Sequence, residues 1–391
     1  MQDRVFDRRR FMVMGAAGMA WFAAGGVTLP ARAQAVSAPF NSLHGIGELL
    51  PPDDNGIMLP AGFQSRVVAR TGQAPVPGSD YLWHLSPDGG ACFAADDGGW
   101  VYVSNSETLL KGGVGALRFD ASGTLVDAYP ILENTSLNCA GGSTPWGTWL
   151  SCEEHDRGQV YECDPFGVRP AQLRAALGTF KHEAVAVDTV NQQLFLTEDS
   201  PDGGFYRFRP AHGLPDLSEG SLDIATIERR GGRDFIVWMP VADPQATNTP
   251  TRHQVPGYSP FKGGEGMAFH DGRVYFTTKG DNRVWWYDVT SAELAVLYDH
   301  ASNDNPILSG VDNVAITPAG DVLVAEDGGD MQIVVLTPDQ QVMPLLQIVG
   351  HERSEICGPA FDPAHQRLYF SSQRGSAGNA EGGITYEISR I

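Results

Sequence analysis

The sequence is short of basic residues and of familiar catalytic motifs, and each shortage excludes a class of protein. Its 27 Lys and Arg stand against 47 Asp and Glu, which gives a net charge of −20. A field of that sign repels nucleic acid and anionic membranes and suits multivalent cations. No G-x-S-x-G, P-loop or H-E-x-x-H stretch occurs, so nothing suggests a serine hydrolase, a P-loop NTPase or a zincin.

Long apolar runs are also scarce, and the one weakly apolar stretch lies at the N-terminus. Arg8 and Arg9 precede a Gly- and Ala-rich run that ends near Leu29, and residues 31–33 have the small-x-small form of a cleavage site. This pattern is typical of a twin-arginine signal peptide over residues 1–33. It predicts export by the twin-arginine machinery to the periplasm or beyond, with no stable membrane anchor. Because that route carries folded proteins, often with a cofactor inserted, it is a first indication of a metal.

Cysteine is sparse, with five in the chain, so at least one thiol is unpaired within it. Cys152 and Cys163 end and begin neighbouring predicted strands, and a periplasmic disulfide between them is plausible. Cys139 and Cys357 could each be a small buried residue or a thiolate ligand of a soft or trivalent metal. Packing is favoured for Cys357.

Helical patterns are missing as well, and a repeat takes their place. The chain has 46 Gly and 26 Pro and no long amphipathic run, which favours an all-β fold. Six segments share a polar residue, small residues, a short apolar strand, a turn and a second strand. Their leading residues are Asp88, Cys139, Glu183, Glu265, Asp312 and Cys357. Self-similarity at about 45 residues, with three or four strands per repeat, predicts a β-propeller.

The spacing of the repeats predicts six blades. An insertion at roughly residues 210–262 could hide a seventh, because residues 234–241 read as a strand. Residues 62–70 precede the first repeat and should complete the last blade, which closes the ring. The propeller would then span residues 62–391, after an N-terminal extension over residues 34–61.

The topology of a propeller predicts where the polar residues meet. The innermost strand of each blade begins at one mouth of the central channel, and a hairpin returns the second strand there. The ends of those second strands carry Asn105, Glu107, Glu153, Glu154, Glu198, Asp199, Lys279, Glu326, Asp327, Gln373 and Arg374. Together with the six leading residues, these acids and thiols would repel one another unless cations bind, which predicts a metal site at this mouth.

The sequence supports metal ligation more strongly for some of these acids than for others. Glu183 and Glu265 lie inside apolar strand starts, where an unpaired carboxylate is costly, so metal ligation is favoured there. The pairs Glu198-Asp199 and Glu326-Asp327 precede Gly-rich turns. These acids could instead be solvated turn residues.

Three stretches carry a family resemblance: "NCAGGSTPWGTWLSCEE", "KHEAVAVD" and "LTEDSPDGGFYRF". With the twin-arginine leader, they resemble the PhoX family of secreted alkaline phosphatases over most of the mature chain. The resemblance implies a six-bladed propeller whose mouth holds iron and calcium and cleaves phosphate monoesters. A metal-bound oxo or hydroxide would act as nucleophile, so no catalytic side chain is assigned.

The resemblance also implies particular ligands. By motif these are Cys139 for iron and Glu107, Glu154, Glu183 and Glu265 as carboxylates, while Cys152 is structural. Glu107 stands in "SNSE" where the family has Asn-His-Glu, so Ser106 replaces the His. Family members are considerably longer, and they carry a phosphate-binding Arg at the position of Gly263. Arg374 and Lys279, at the same mouth, are the candidates to bind substrate in its place.

We therefore predict a metal-dependent phosphomonoesterase, with calcium and iron as cofactors, that acts as a monomer on a small phosphate ester. Two alternatives stay open. The stretches "EGMAFHDGRVYFTT" and "VDNVAITPAGDVLVAED" are similar to gluconolactonase-like propellers, in which Glu265 and Asn313 would hold one divalent ion. The other is a non-catalytic binding propeller braced by metals. A pyrroloquinoline-quinone propeller is a more remote option that would require a planar cofactor in the channel.

Overall fold

The computed structural model describes residues 39–391. The predicted signal peptide and the first residues of the extension lie outside this range. Within it the chain forms short strands, turns and four single-turn 3-10 helices. None of the helices among these residues has the length and apolar character required to cross a bilayer. The scarcity of helix follows from the many Gly and Pro residues, which interrupt any helical run.

The strands are named here in chain order. They are β1 (Ile57–Met58), β2 (Phe63–Arg70), β3 (Pro87–Ala94), β4 (Trp100–Ser106), β5 (Gly112–Phe119), β6 (Leu125–Thr135), β7 (Asn138–Ser143), β8 (Trp149–Glu153), β9 (Val160–Cys163), β10 (Gln172–Leu173), β11 (His182–Asp188), β12 (Gln193–Glu198), β13 (Phe205–Pro210), β14 (Gly220–Arg230), β15 (Arg233–Pro240), β16 (Gly264–His270), β17 (Arg273–Thr278), β18 (Arg283–Asp288), β19 (Glu293–Asp299), β20 (Val311–Ile316), β21 (Val322–Glu326), β22 (Gln332–Leu336), β23 (Val342–Ile348), β24 (Ile356–Phe361), β25 (Arg367–Ser372) and β26 (Ile384–Arg390). The 3-10 helices are Ala175–Leu177, Thr251–Gln254, Lys279–Asp281 and Ala380–Gly382.

These strands form five antiparallel sheets in the described part of the chain. Four sheets have the orders β3-β4-β5-β6, β10-β9-β8-β7, β1-β23-β22-β21-β20 and β2-β26-β25-β24. The fifth has nine strands in the order β11-β12-β13-β14-β15-β19-β18-β17-β16. The architecture is an all-β, propeller-like fold, as the repeats predict.

Two expectations about strand placement can be compared with this topology. The strand from residues 63–70, β2, pairs with β26, so the N-terminal strand completes the sheet of the last repeat, as expected. The insertion does not form a sheet of its own, because β15 pairs with β14 and, through Asp234 and Phe235, with β19. The seventh blade that the insertion could have hidden is therefore not present among the described residues.

The innermost strands are the six that begin the repeats, and they surround a central cavity. They contact one another in the order β3, β7, β11, β16, β20 and β24, and β24 returns to β3. The inner strands approach one another so closely that some positions require glycine. A Cβ atom added at Gly89 would lie 2.5 Å from the Cα of Ala140, and a Cβ added at Gly266 would lie 2.4 Å from the Cα of Asn313. The cavity measures about 530 Å³ and is lined by the small residues of these strands.

The register of β8 and β9 excludes the disulfide between Cys152 and Cys163 that the sequence left open. Cys152 pairs with Val160, and Cys163 pairs with Trp149. An offset of three residues along adjacent strands separates the two cysteines by about 10 Å, beyond the roughly 7 Å between Cα atoms that a disulfide tolerates. All five cysteines are free thiols. Cys152 is fully buried in an apolar core with Val160, which agrees with a structural role.

Candidate metal centre

The six inner hairpins deliver polar side chains to one mouth of the channel by a shared register. The pairs nearest the mouth are Pro87 with Ser106, Asn138 with Glu153, His182 with Glu198, Gly264 with Thr278, Val311 with Glu326 and Ile356 with Ser372. The residues that follow these in the chain are Asp88 and Glu107, Cys139 and Glu154, Glu183 and Asp199, Glu265 and Lys279, Asp312 and Asp327, and Cys357 and Gln373.

A local irregularity accompanies this register in every hairpin. The pairing shifts directly beyond the mouth in all six, for example between Pro87 and Gly90 and between His182 and Val185. β-Bulges of this kind re-aim side chains and are common beside functional sites. Equivalent residues of the six repeats therefore lie around one mouth, because each hairpin has the same bulge at the same place.

We define the mouth cluster as the acids and thiols whose ligand atoms come together here. Its groups, within each of which the atoms lie within 4.8 Å of one another, are Asp88, Glu355 and Cys357; Glu107, Cys139 and Glu154; Glu183, Glu265 and Asp312; and Asp312, Asp327 and Glu355. Eight carboxyl groups and two thiols therefore share one mouth.

All five ligands predicted from the sequence belong to this cluster. Glu107, Cys139 and Glu154 form one of its groups, and Glu183 and Glu265 belong to another. The two groups are joined, because the Cys139 thiol lies 3.3 Å from Glu183 Oε1 and donates to it. Glu183 and Glu265, the two acids predicted at apolar strand starts, therefore lie close together. That these residues ligate a metal stays a prediction.

Burial and mutual repulsion disfavour the charged forms of these groups. Burial, reinforced by Asp199 and Glu107, raises the pKa of Glu154 to about 8. Burial also raises the pKa of Asp312 to about 7, although Lys279 opposes the shift. The pKa of Glu183 and that of the Cys139 thiol are raised by burial first and by neighbouring acids second. A bound cation would reverse these shifts, because it stabilises carboxylate and thiolate.

One buried carboxylate oxygen is well suited to contact a cation. Glu183 is fully buried, and its Oε2 has no hydrogen-bond partner. A buried carboxylate oxygen left unpaired is costly and calls for a counter-ion. With the Cys139 thiol beside Oε1, the donor set of oxygen and sulfur is suited to a metal ion.

Lys279 and Gln373 interact with four other acids of the mouth cluster. Lys279 Nζ lies 3.0 Å from Glu265 Oε1 and 3.2 Å from Asp327 Oδ2. The Gln373 amide donates to Asp88 Oδ2 at 2.5 Å and to Glu107 Oε2 at 2.7 Å. Glu154, beside Cys139, has a weaker protein partner, since Lys181 Nζ approaches Glu154 Oε1 only to 3.9 Å. The space beside Cys139, Glu154 and Glu183 is thus the part of the mouth best suited to a cation.

Several polar residues expected at the mouth brace the hairpins instead. Glu198 accepts hydrogen bonds from Gly204 N and the Tyr206 hydroxyl and pairs with Arg252. Glu326 accepts from Ser309 N and Gln332 N, and Glu153 accepts from Ser136 N. Asn105 donates to the carbonyls of Cys139 and Ala140. The alternative of solvated turn acids is wrong for Glu198 and Glu326, because both are fully buried.

The two predicted substrate-binding residues lie at the mouth and are paired with acids. Arg374 Nη2 lies 2.7 Å from Glu355 Oε1, and the Arg374 side chain is 37% exposed. Lys279 is engaged by two acids, Glu265 and Asp327, as described above. Arg374, with one acidic partner, is the better placed of the two to reach a ligand from solvent.

One cluster member was missed in the sequence. Glu355 begins the sixth repeat segment, two residues before Cys357, and is not among the residues predicted to face the mouth. It lies in two groups of the mouth cluster and forms a bridge with Asp327 on the preceding hairpin. Its position just ahead of the inner strand was the only available signal, and no other repeat has an acid in that place.

Gly263 lies where the family carries an arginine, and its geometry bears on that difference. Its φ is +64°, and an added Cβ would meet Asp199 Oδ1 at 3.1 Å and Glu265 Oε1 at 3.8 Å. A side chain here would therefore enter the mouth. The left-handed backbone is one that glycine adopts readily and other residues adopt at some cost.

A solved structure with a TM-score above 0.5 supports the fold. A Bacteroides thetaiotaomicron protein of unknown function is similar at 9% identity and a TM-score of 0.53, covering 84% of this chain and 76% of that one. The Xanthomonas campestris gluconolactonase XC5397 is similar at 15% identity and a TM-score of 0.48, covering 88% and 98%. No curated protein matches the chain.

The family assignment comes from sequence comparison. The family described as alkaline phosphatase PhoX matches residues 112–162 and 154–295, just under half of the chain. The matched residues include Cys139, Glu154, Glu183 and Glu265, whereas Glu107 and Arg374 lie outside them. The resemblance inferred from the sequence is thereby confirmed: residues 112–295 match the family described as alkaline phosphatase PhoX, which is consistent with a PhoX-like protein.

Proposed function

We propose that this protein is a metal-dependent phosphomonoesterase that works at the mouth cluster. The observation that carries the proposal is the buried, unpartnered Oε2 of Glu183 beside the Cys139 thiol, inside the residues that match the phosphatase family. A group of buried acids with this little compensation suits a site that binds cations, and cations suit phosphate chemistry.

Two kinds of cation fit the two sides of the cluster. Cys139 with Glu154 and Glu183 combines a soft donor with carboxylates, which favours iron. Asp312, Asp327 and Glu355 offer oxygen alone within one group, which favours calcium. Glu107 and Glu265 complete the ligand set. The proposal thus keeps iron and calcium as the cofactors.

The protein's own residues would position the ester. Bound cations would polarise the phosphoryl oxygens and activate water, so no nucleophilic side chain is required. Arg374 would meet charge on a phosphoryl oxygen, and Lys279 would add a second positive charge across the mouth. Glu183 and Glu265, held on β11 and β16 by the bulged register, would keep their carboxylates fixed as the substrate binds.

The surrounding features complete the proposal. We take the β15–β19 contact as a junction between two blades, which gives a six-bladed propeller over residues 62–391 after an extension over 34–61. Export through the twin-arginine machinery would place the mature monomer in the periplasm or outside the cell. Its substrate would be a small phosphate ester, and its acidic surface would keep it off nucleic acid.

The test is to purify protein exported through its native route and measure its metals and its turnover of p-nitrophenyl phosphate. We expect both iron and calcium by elemental analysis, and phosphatase activity that a calcium chelator removes and calcium restores. Opening of lactones without turnover of any phosphate ester would contradict the proposal. That alternative needs Asn313 as a ligand, yet its amide oxygen already accepts from Gly358 N at 2.7 Å.

Gly263→Arg should raise phosphatase activity. The new side chain would enter the mouth beside Asp199 and Glu265 and supply a bidentate phosphate donor, so we expect kcat/KM to rise by roughly tenfold or more. The positive φ should lower stability by about 1–2 kcal/mol. Gly263→Ala carries the same strain without the guanidinium and is the control. Equal activity in the two variants would contradict a phosphate-binding role for this position.

Arg374→Ala should lower phosphatase activity if Arg374 meets the phosphate. We expect a loss of roughly 10–100-fold in kcat/KM, as for other deleted charged donors. Arg353, an exposed arginine that donates to Ala377 O nearby, provides the control through Arg353→Ala. Unchanged kinetics in Arg374→Ala would contradict a role in phosphate binding and would leave Arg374 only its ion pair with Glu355.

A further inference from the structure

Lys279 is the one basic residue among the six mouth residues that follow the second strands of the hairpins. Of the six positions that end the second strands, four carry carboxylates, namely Glu107, Glu154, Asp199 and Asp327, and one carries the amide of Gln373. The remaining position, after β17, carries the ammonium of Lys279. The register of the hairpins is the same there as elsewhere, so Lys279 occupies a place in which other repeats supply an acid.

The contacts of Lys279 are those of a bridging cation. Its Nζ lies 3.0 Å from Glu265 on its own hairpin and 3.2 Å from Asp327 on the next one. Asp312 lies in one group with Glu265 and in another with Asp327, so it connects the two acids that Lys279 contacts. The side chain of Lys279 therefore lies between acids of two neighbouring hairpins that would otherwise repel one another.

We propose that Lys279 is a built-in cation that fills a second divalent-metal position, bounded by Glu265, Asp312 and Asp327 and next to the proposed calcium position of Asp312, Asp327 and Glu355. Three carboxylates with oxygen donors alone are suited to a hard divalent ion such as calcium. The chain would thus bind one cation fewer than its acids allow, and removal of the ammonium would open a further calcium site. This inference rests on the proposed cation-binding function of the mouth.

Lys181 provides a matched comparison. It is another lysine at the mouth and has a similar exposure, 35% against 34% for Lys279. Its Nζ lies 3.9 Å from a single acid, Glu154, and bridges no pair of hairpins. Loss of its charge should leave the number of calcium sites as it was.

The experiment is to count calcium ions per chain, by elemental analysis and by calcium titration after chelation, in wild type, Lys279→Gln, Lys279→Arg and Lys181→Gln. We expect about one additional calcium per chain in Lys279→Gln and the wild-type number in the other two variants. An unchanged number in folded Lys279→Gln would overturn the inference. An equal gain in Lys181→Gln would also overturn it, because the effect would then be one of net charge.

Failure of the proposed function is distinguishable from failure of this inference. A wild-type protein that binds no metal would contradict the metal-dependent function. In that case the inference about Lys279 holds if the Lys279→Gln protein binds one calcium, and it fails if that protein binds none. The experiment also covers a Lys279→Gln protein that is unfolded in the absence of calcium. Recovery of a cooperative thermal transition upon addition of calcium would then support the site, and no recovery in calcium would overturn it.

Discussion

Cys139→Ser should lose iron and at least about 100-fold of phosphatase activity while the protein stays folded. A hydroxyl lacks the charge and softness of a thiolate, so the site beside Glu154 and Glu183 would hold iron poorly. Mutation of residues that only support metal ligands costs roughly 10–100-fold, and loss of a direct ligand should exceed that. The measurements are iron per chain, the visible absorbance of the purified protein and kcat/KM, with circular dichroism as the check on folding.

Cys152→Ser is the matched control, because it places the same change on the same hairpin. Cys152 is fully buried among apolar side chains and belongs to no group of the mouth cluster. Its replacement should lower the free energy of unfolding by about 1–3 kcal/mol and leave the iron content intact. An active, iron-replete Cys139→Ser protein would make Cys139 a packing residue.

Removal of the metals should make stability fall as the pH rises. Without cations, burial raises the pKa of Glu154 to about 8 and that of Asp312 to about 7, against roughly 4 in an unfolded chain. Between these values the folded state holds more protons than the unfolded state. Stability is therefore greatest below about pH 4 for these groups and is lost progressively toward pH 8.

The expected size of this effect is several kcal/mol, because each unit of pKa difference is worth about 1.4 kcal/mol. We expect the Tm of the chelated protein to fall by on the order of 10 °C between pH 5 and pH 8, and calcium to abolish most of the decrease. Glu154→Gln should flatten the dependence, whereas Glu48→Gln, an exposed acid in the extension, should leave it unchanged. A chelated protein equally stable at both pH values would show that the mouth acids are compensated without metal.

The sequence predicted the fold class and the set of strands that face the mouth. Alternation of apolar residues, turn residues at regular offsets and a leading polar residue are local signals, and they repeat six times. The same signals singled out Glu183 and Glu265, because a carboxylate inside an apolar strand start is conspicuous. Cys139 stayed open between packing and ligation on its pattern alone, and the family resemblance implied the ligand role of Cys139 and Glu154. Glu355 gave no such signal, since an acid just ahead of a strand resembles an ordinary loop residue.

The pairing of acids with their neighbours was decided by tertiary structure. Glu153 and Glu154 are adjacent in sequence, yet one accepts from backbone amides of its own hairpin and the other lies in the mouth. Register also placed Cys152 and Cys163 three residues apart, which no spacing in the chain reveals. Local patterns determine that a residue is in a strand, because they depend on nearest neighbours. Long-range pairing determines which oxygen is left without a partner, because that depends on residues from other hairpins, as at Glu183.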